Sequence, residues 1–435
     1  MWKATALSPG RREPLRGEVQ TDVLVIGAGM AGLLCAHMLQ SAGRRVLVAE
    51  GRRMGGGVTA NTTAKITAQH GLVFYQFLQS MGRERTALYL EANQKAVRAF
   101  KALSHTIDCG LEEKDAHVFS RTDRRAVQEE AKALQSLGVQ AEFLEEAPLP
   151  VPVAGAVRFP DQAQFHPLRF LYGLSQGLAI HEDTFIRNLE GTTAFTDQGR
   201  VRAKAVIVAT HFPFMNTHGG YFLKMYQHRS YVIALKNAPD LGGLYLEETQ
   251  DGLSLRNAGD MLLLGGGDHR TGKRGGNWRV LRELAQEAYP QAREQYAWAT
   301  QDCMTLDGIP YIGRYSPNTP GVYVATGFNK WGMTGSMVAA MVLTDLINEK
   351  KNEYAPVFDP ARKMAKGQLL ANMGSSVAGM AYPTLKRCPH LGCGLRWNPV
   401  ERTWDCPCHG SRFARQGALI DNPAMGGILE EKGRV

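Results

Sequence analysis

Apolar residues along this chain recur at two different periods, and the changes of period mark out its elements. Val23–Ile26 is an unbroken apolar run of strand length, as expected for a strand buried on both faces. Leu33–Ala42 then takes up the helical period, and Val46–Ala49 is a second short apolar run. Strand, helix and strand in that order predict a crossover unit of a parallel sheet. Residues 72–81, 83–105 and 124–138 carry apolar positions three and four apart and predict helices, with a short strand near His117–Phe119. A helix opens at His166 and Pro167, since proline is tolerated in a first helical turn. Ala205–Ala209 returns to the buried-strand pattern. From 215 to 300 the reading is mostly antiparallel strands: 228–235, 243–249, 252–257 and 260–268, the last two joined by a turn at Ala258 and Gly259. A helix over 279–290 follows, then a strand within 296–314 that runs into a loop. Val322–Thr326 predicts another strand, Gly327–Gly332 a tight turn, and Met333 onwards a helix.

Composition narrows the class. A chain of 435 residues with 44% apolar and 21% charged residues predicts a soluble globular protein of two or three domains. The longest apolar run, Met337–Ile347, is too short and interrupted to span a bilayer, and the N-terminal segment lacks the apolar centre of a signal peptide. A cytoplasmic location is therefore expected. The net charge of +9 comes from scattered pairs such as Arg11–Arg12, Arg44–Arg45, Arg52–Arg53 and Lys350–Lys351, with no basic helix face, so nucleic acid is not the expected partner. Four of the seven cysteines fall between 388 and 408, leaving Cys35, Cys109 and Cys303 as isolated, buried thiols.

The first crossover unit carries chemistry. Gly27, Gly29 and Gly32, with Ala28 and Met30 between them, form G-x-G-x-x-G between strand and helix, and Glu50 closes the second strand. Gly27 permits the turn, Gly29 lets backbone approach a pyrophosphate, and Gly32 lets helix and strand touch; Glu50 is placed to accept from ribose hydroxyls. A dinucleotide is the expected ligand. Residues 51–71, with Arg52, Thr59, Thr62 and Thr63, resemble the glycine- and threonine-rich loop that flavoproteins run beneath the isoalloxazine ring. Ala209 and Thr210 resemble the strand end that returns to the nucleotide domain, and Gly327, Gly332, Met333 and Thr334 the second half of the flavin signature. Asp307 is expected either to fix its turn or to face the flavin. No second dinucleotide motif follows, so the expected reductant is a substrate bound directly at the flavin.

Together, DGIPYIGR and TGFNKWGMTG resemble the D-amino-acid-oxidase superfamily over about residues 20–350. The resemblance implies FAD and oxidation of a carbon–nitrogen bond of a small amine or amino acid by hydride transfer. It also implies an α/β fold, a Rossmann-like FAD domain (20–72, 152–212, 302–350) with an inserted mixed or antiparallel substrate domain (73–151, 213–301). Candidate pocket residues are Lys65, Tyr245, Arg256, Trp298, Arg314, Lys330 and Trp331. Arg256 or Arg314 is a candidate for holding a carboxylate, and Lys65 or Lys330 for holding a water near the ring, with surface or structural roles as the alternative.

Near the end, Cys388 and His390 form one short loop and Cys406 and His409 another. Two Cys and two His admit zinc, but Cys-x-His is tight for a single zinc, and a two-iron cluster with one ligand of each metal on each loop fits better. These boxes resemble the Rieske family, in the subtype with an extra Cys in each box. The resemblance implies a [2Fe–2S] cluster, a Cys393–Cys408 disulfide and a Ser411 hydroxyl aimed at a cluster sulfur. Phe413 departs from the Tyr of high-potential members, which implies a lower potential. After a linker over 351–385, the cluster domain (386–435) has few strands before its first box, so its loops are expected to lean on the flavoprotein body. The expected activity is a dehydrogenase that passes single electrons through the cluster to an unidentified acceptor. The alternatives are an oxygen-using oxidase and a non-enzymatic redox sensor or carrier.

Overall fold

The computed structural model describes residues 1–249, 252–364 and 366–428. Its first sheet grows from the apolar runs at the start of the chain. Gly17–Ile26 pairs in parallel with Val46–Ala49 on one side and Gly199–Val208 on the other, and Val322–Thr326 extends the parallel set. Val23 and Val25 are buried beneath helices Met30–Ser41 and Gly332–Ile347, while Leu24 and Ile26 point to the other face and pack with Leu47, Val206 and Phe212. Each such side chain contributes about 1.5–3 kcal/mol on burial.

A second sheet of nine strands runs in the order 293–305, 225–236, 261–270, 254–258, 244–247, 112–120, 155–164, 65–66, with 142–144 at the side. Its pairings are antiparallel except for Leu244–Glu247 with Glu112–Ser120. Lys65–Ile66, directly after the flavin-type loop, joins this sheet, so the loop is stretched between the two domains. The two expected helices over 72–105 form one unit, Phe74–Ser104, broken at Gly82 with φ of +78°, a conformation glycine adopts without a Cβ clash.

A third sheet of four short antiparallel strands, Arg396–Asn398, Thr403–Asp405, Arg412–Ala414 and Leu419–Asp421, carries the two Cys/His loops. The last residues of the expected cluster domain, 429–435, lie outside the described ones. This small sheet leans on the flavoprotein body. Glu401 accepts from Arg229 Nε at 2.8 Å and from Arg412 Nη2 at 2.9 Å, with all three side chains under 10% exposed. Ion pairs so far from water hold only if every member stays, because removing one leaves the others charged and unpaired. Among the described residues, no helix is long and apolar enough to cross a membrane.

Candidate functional site

The candidate nucleotide cradle follows from three glycines. A Cβ on Gly32 would lie 1.8 Å from the Gly27 carbonyl oxygen, and one on Gly27, whose φ is +109°, 2.6 Å from the Ala209 carbonyl oxygen. Gly29 meets only the Thr59 hydroxyl at 3.4 Å, which leaves its backbone open to a close ligand. Glu50 accepts from the amides of Ala28 and Arg52, both at 2.8 Å, and burial pushes its carboxyl up. Thr59 accepts from the Met30 amide at 3.1 Å, tying the loop to the helix N-terminus. Arg52 departs from a nucleotide role: its guanidinium donates to the carbonyls of Leu419 and Ile420 in the cluster domain. Thr62 caps Ala64 N through its hydroxyl and receives Trp2 Nε1 at its carbonyl. Neighbouring Thr63 is half-buried. Asp307 holds its turn, accepting from Ile309 N at 3.2 Å and pairing with Arg362 at 2.7 and 2.9 Å.

Two polar groups face the loop from the second sheet. The first joins Lys65 and Arg256. Lys65 donates to Ser254 Oγ, and burial followed by the nearby Arg256 charge lowers its ammonium to about 7. Arg256 is 1% exposed, its Nε has no partner, and its Nη2 donates to the Phe165 carbonyl at 3.3 Å. Burial lowers it to about 9. Two neighbouring cations taken out of water without a bonded carboxylate are costly unless an anion joins them. Trp298 donates to the Asn61 carbonyl at 2.9 Å, closing the loop over the sheet.

The second group is centred on Lys330, which pairs with Asp268. Asn329 and Lys330 both have positive φ, +51° and +72°, in the turn before helix Gly332–Ile347. Left-handed backbone at two adjacent non-glycine residues concentrates at functional sites. Asp302 lies nearby, its carboxyl raised by burial to about 6. Beneath the helix N-terminus, His70 contacts Tyr89 Oη at 2.7 Å and Thr334 Oγ1 at 3.0 Å and stacks on Trp331 at 4.7 Å; burial keeps it neutral. Periodicity marks none of His70, Asp268 or Asp302. The clue open to sequence was the pair of polar residues after G-F in the flavin turn. Tyr245 and Arg314 are brought to neither group. Tyr245 stacks on His117 and donates to the Leu241 carbonyl, and Arg314 is exposed at the end of its strand.

At the cluster loops, the rings of His390 and His409 lie 4.9 Å apart, and Nδ1 of each is buried without a partner. His390 Nε2 meets Asn216 Oδ1 at 2.8 Å, so that nitrogen carries the proton and Nδ1 is free to ligate. The neighbouring thiols act on one another: Cys406 draws the Cys388 thiol down, and Cys388, with burial, pushes Cys406 up. Cys393 and Cys408 are joined as a disulfide, which removes them from any ligand set. Ser411 Oγ accepts from Ala424 N at 3.0 Å, and Phe413 is fully buried. Two thiols, with one partnerless ring nitrogen on His390 and two on His409, all buried, fit a two-iron cluster.

The imidazoles face the flavoprotein body. Phe212 lies edge-on to both rings, and Phe222 to His409. Gln227, fully buried, donates to the His409 carbonyl at 2.7 Å, while Gln301 donates to Gln227 Oε1 at 2.6 Å and to the Gly410 carbonyl at 2.9 Å. Gln227 Oε1 also receives His211 Nε2, one residue past Thr210 at the nucleotide-domain strand end. Thr210 itself donates to the Phe212 carbonyl at 2.9 Å, and Ala209 N to the Ile26 carbonyl. One packed polar layer thus joins the second cluster loop to the flavin-side strand ends.

Residues 22–346 match the FAD dependent oxidoreductase family, and residues 360–430 the Rieske [2Fe-2S] domain. The chain belongs to the FAD-dependent oxidoreductase family. This oxidoreductase is similar along its length to the Rieske 2Fe-2S iron-sulfur protein YhfW of Bacillus subtilis, at 33% identity, covering 98% of this chain and 96% of that one. Its cluster boxes are 51% identical over 37 residues to a Nostoc cytochrome b6-f complex iron-sulfur subunit, of which they cover 21%. Glycine oxidase from Geobacillus kaustophilus shares the fold with a TM-score of 0.68 at 20% identity, over 80% of this chain and 100% of that one. L-amino acid deaminase from Proteus vulgaris follows at 0.64 and 15%, over 81% and 100%. The oxidoreductase carries FAD and a Rieske [2Fe–2S] cluster, which sets aside the zinc reading.

Proposed function

We propose that this oxidoreductase oxidises the carbon–nitrogen bond of a small amine that bears a carboxylate, and delivers the electrons through its cluster to an external acceptor. When bound, FAD supplies two-electron acceptance and the [2Fe–2S] cluster supplies one-electron relay. Gly27, Gly29, Gly32 and Glu50 are the residues to hold the nucleotide, and Cys388, His390, Cys406 and His409 those to ligate iron. The observation that carries the substrate reading is the buried pair Lys65 and Arg256, which lacks a bonded anion beside the flavin-type loop. A substrate carboxylate there satisfies Arg256 Nε and restores the ammonium of Lys65. Lys330 and Asp268 form the neighbouring polar wall, and Asp302 adds a carboxyl suited to exchange protons near neutrality. Glycine oxidase and L-amino acid deaminase, by their names, act on substrates of this class.

This reading sets a pH dependence. Without ligand, Lys65 loses its proton near pH 7. A bound carboxylate raises that value, so binding takes up a proton. Affinity for an amine-free aliphatic carboxylate is therefore full below pH 7 and weakens above it, by up to about tenfold per pH unit. Titration of flavin absorbance at several pH values checks this, and the slope should vanish in Lys65→Met. Binding that is flat with pH in the natural protein, or an unchanged slope in the variant, would contradict the role.

A further inference from the structure

The helix Lys366–Met380 is turned inside out for a protein surrounded by water. Asn372, Ser376 and Gly379 face inward. Asn372 donates to the Leu223 carbonyl and accepts from Arg270, both at 2.9 Å, and Gly379 sits so close to the disulfide that a Cβ there would lie 2.5 Å from Cys408 Sγ. Its large apolar residues face outward: Leu370 is 67% exposed, Val377 63%, and Met373 and Met380 over 40%. These four recur at helical spacing and form a stripe.

The stripe continues beyond the helix. Of the eleven large hydrophobic residues exposed among the described ones, eight lie between 370 and 400, the others of this stretch being Tyr382, Leu385, Trp397 and Val400. Contiguous exposed apolar surface of this kind marks an interaction site. Its rim has one sign of charge. From Pro360 to Val400 the sequence contains no Asp or Glu; Arg362 is buried against Asp307, and Lys386, Arg387 and Arg396 are the cations set beside the patch. The cations touch the patch: Arg387 donates to the Met380 carbonyl at 2.7 Å, the Arg396 guanidinium lies 4.5 Å from the Tyr382 ring, and Lys386 lies over Trp404, which packs on Trp397.

We propose that this face binds the surface of an anionic lipid bilayer. Protruding Leu, Val and Met side chains on a helix without acids, bordered by Lys, Arg, Tyr and Trp, are the composition of a segment lying in the membrane interface. A symmetric pairing of two copies would set cationic rims against each other in a chain already at +9. Because the helix sits on the Cys393–Cys408 disulfide, docking brings the cluster domain to the membrane while the imidazole edge stays against the flavoprotein body. The oxidoreductase thus rests on the lipid surface without crossing it.

Flotation of the full-length, cofactor-loaded protein with phosphatidylglycerol-rich vesicles tests this, with pure phosphatidylcholine vesicles as comparison. The protein should float with the anionic vesicles only and be partly released by salt. Leu370→Glu with Val377→Glu should weaken flotation by at least about tenfold, since each removes a large aliphatic contact. Lys386→Glu with Arg387→Glu should remove the salt-sensitive part. Both pairs are exposed, so flavin and iron contents stay unchanged. The proposal is overturned if the natural protein floats with neither vesicle, or floats equally well with both pairs changed. It is equally overturned if light scattering shows a dimer that Leu370→Glu with Val377→Glu dissolves, or if an acidic protein rather than lipid occupies the stripe.

Discussion

Cys406→Ser should lose its iron and acid-labile sulfide while keeping a full complement of FAD. Cys406 is fully buried, and a hydroxyl at that position gives a poor substitute for a thiolate toward iron. The residues proposed to hold the nucleotide, Gly27, Gly29, Gly32 and Glu50, make their hydrogen bonds away from the cluster loops. Turnover with an external one-electron acceptor should fall to background, a loss of at least about a thousandfold, which corresponds to about 4 kcal/mol. Reduction of the flavin by substrate in the same variant should remain within a few-fold of the natural protein. Iron and sulfide assay, flavin content and two separate kinetic readouts check this. Equal loss of both half-reactions would show that the cluster domain is needed for the fold of the substrate site, and would remove the case for a relay.

Arg256→Met is expected to have the second largest effect, on a different step. The guanidinium is 1% exposed, with one Nη donating to the Phe165 carbonyl at 3.3 Å and its Nε unpaired. Removing one partner of a buried charge pair costs about 3–5 kcal/mol, so kcat/KM for a carboxylate-bearing amine should fall about a hundred- to a thousandfold or more. The same amine without its carboxylate should change by less than about tenfold. In the absence of substrate the variant should be at least as stable as the natural protein, because a buried cation without an anion is replaced by an apolar side chain of similar reach. A lowered melting temperature together with equal loss on both amines would mark Arg256 as a structural residue instead.

How much of this was legible in the sequence varies with the range of the interaction that gives a residue its meaning. Gly27, Gly29, Gly32 and Glu50 lie within one crossover unit, so their spacing alone pointed to the family that residues 22–346 match, and the same holds for the two Cys/His boxes within residues 360–430. The break at Gly82 and the helix opening at Pro167, with His166 accepting from the Arg169 amide, were also local. Gln227, Gln301 and Asn216 were not legible, because each acquires its part only when the cluster domain docks. Gln227 and His409 are 182 residues apart. Arg52 shows the same limit in reverse: its backbone belongs to the nucleotide edge as the motif suggests, while its side chain is committed to the cluster domain. Lys65 and Arg256 stand between these cases. Each lies in a recognisable stretch, but their mutual approach depends on the curvature of a sheet in which their strands are not neighbours.

The body–cluster interface supports the proposed relay. The imidazole edge is packed on Phe212 and Phe222, and the Gln227–Gln301 pair pins the second loop to the sheet that also holds Arg229. A cluster domain held by buried ion pairs and buried amides stays fixed on the body, so the proposed relay would need no domain motion.

The most direct measurement is anaerobic rapid mixing of the oxidoreductase, loaded with both cofactors, with a carboxylate-bearing amine, following flavin absorbance and the cluster's EPR signal together. The account predicts that the flavin bleaches first and the cluster becomes reduced afterwards, within the turnover time and without added mediator. Bleaching that leaves the cluster oxidised until oxygen is admitted would contradict it.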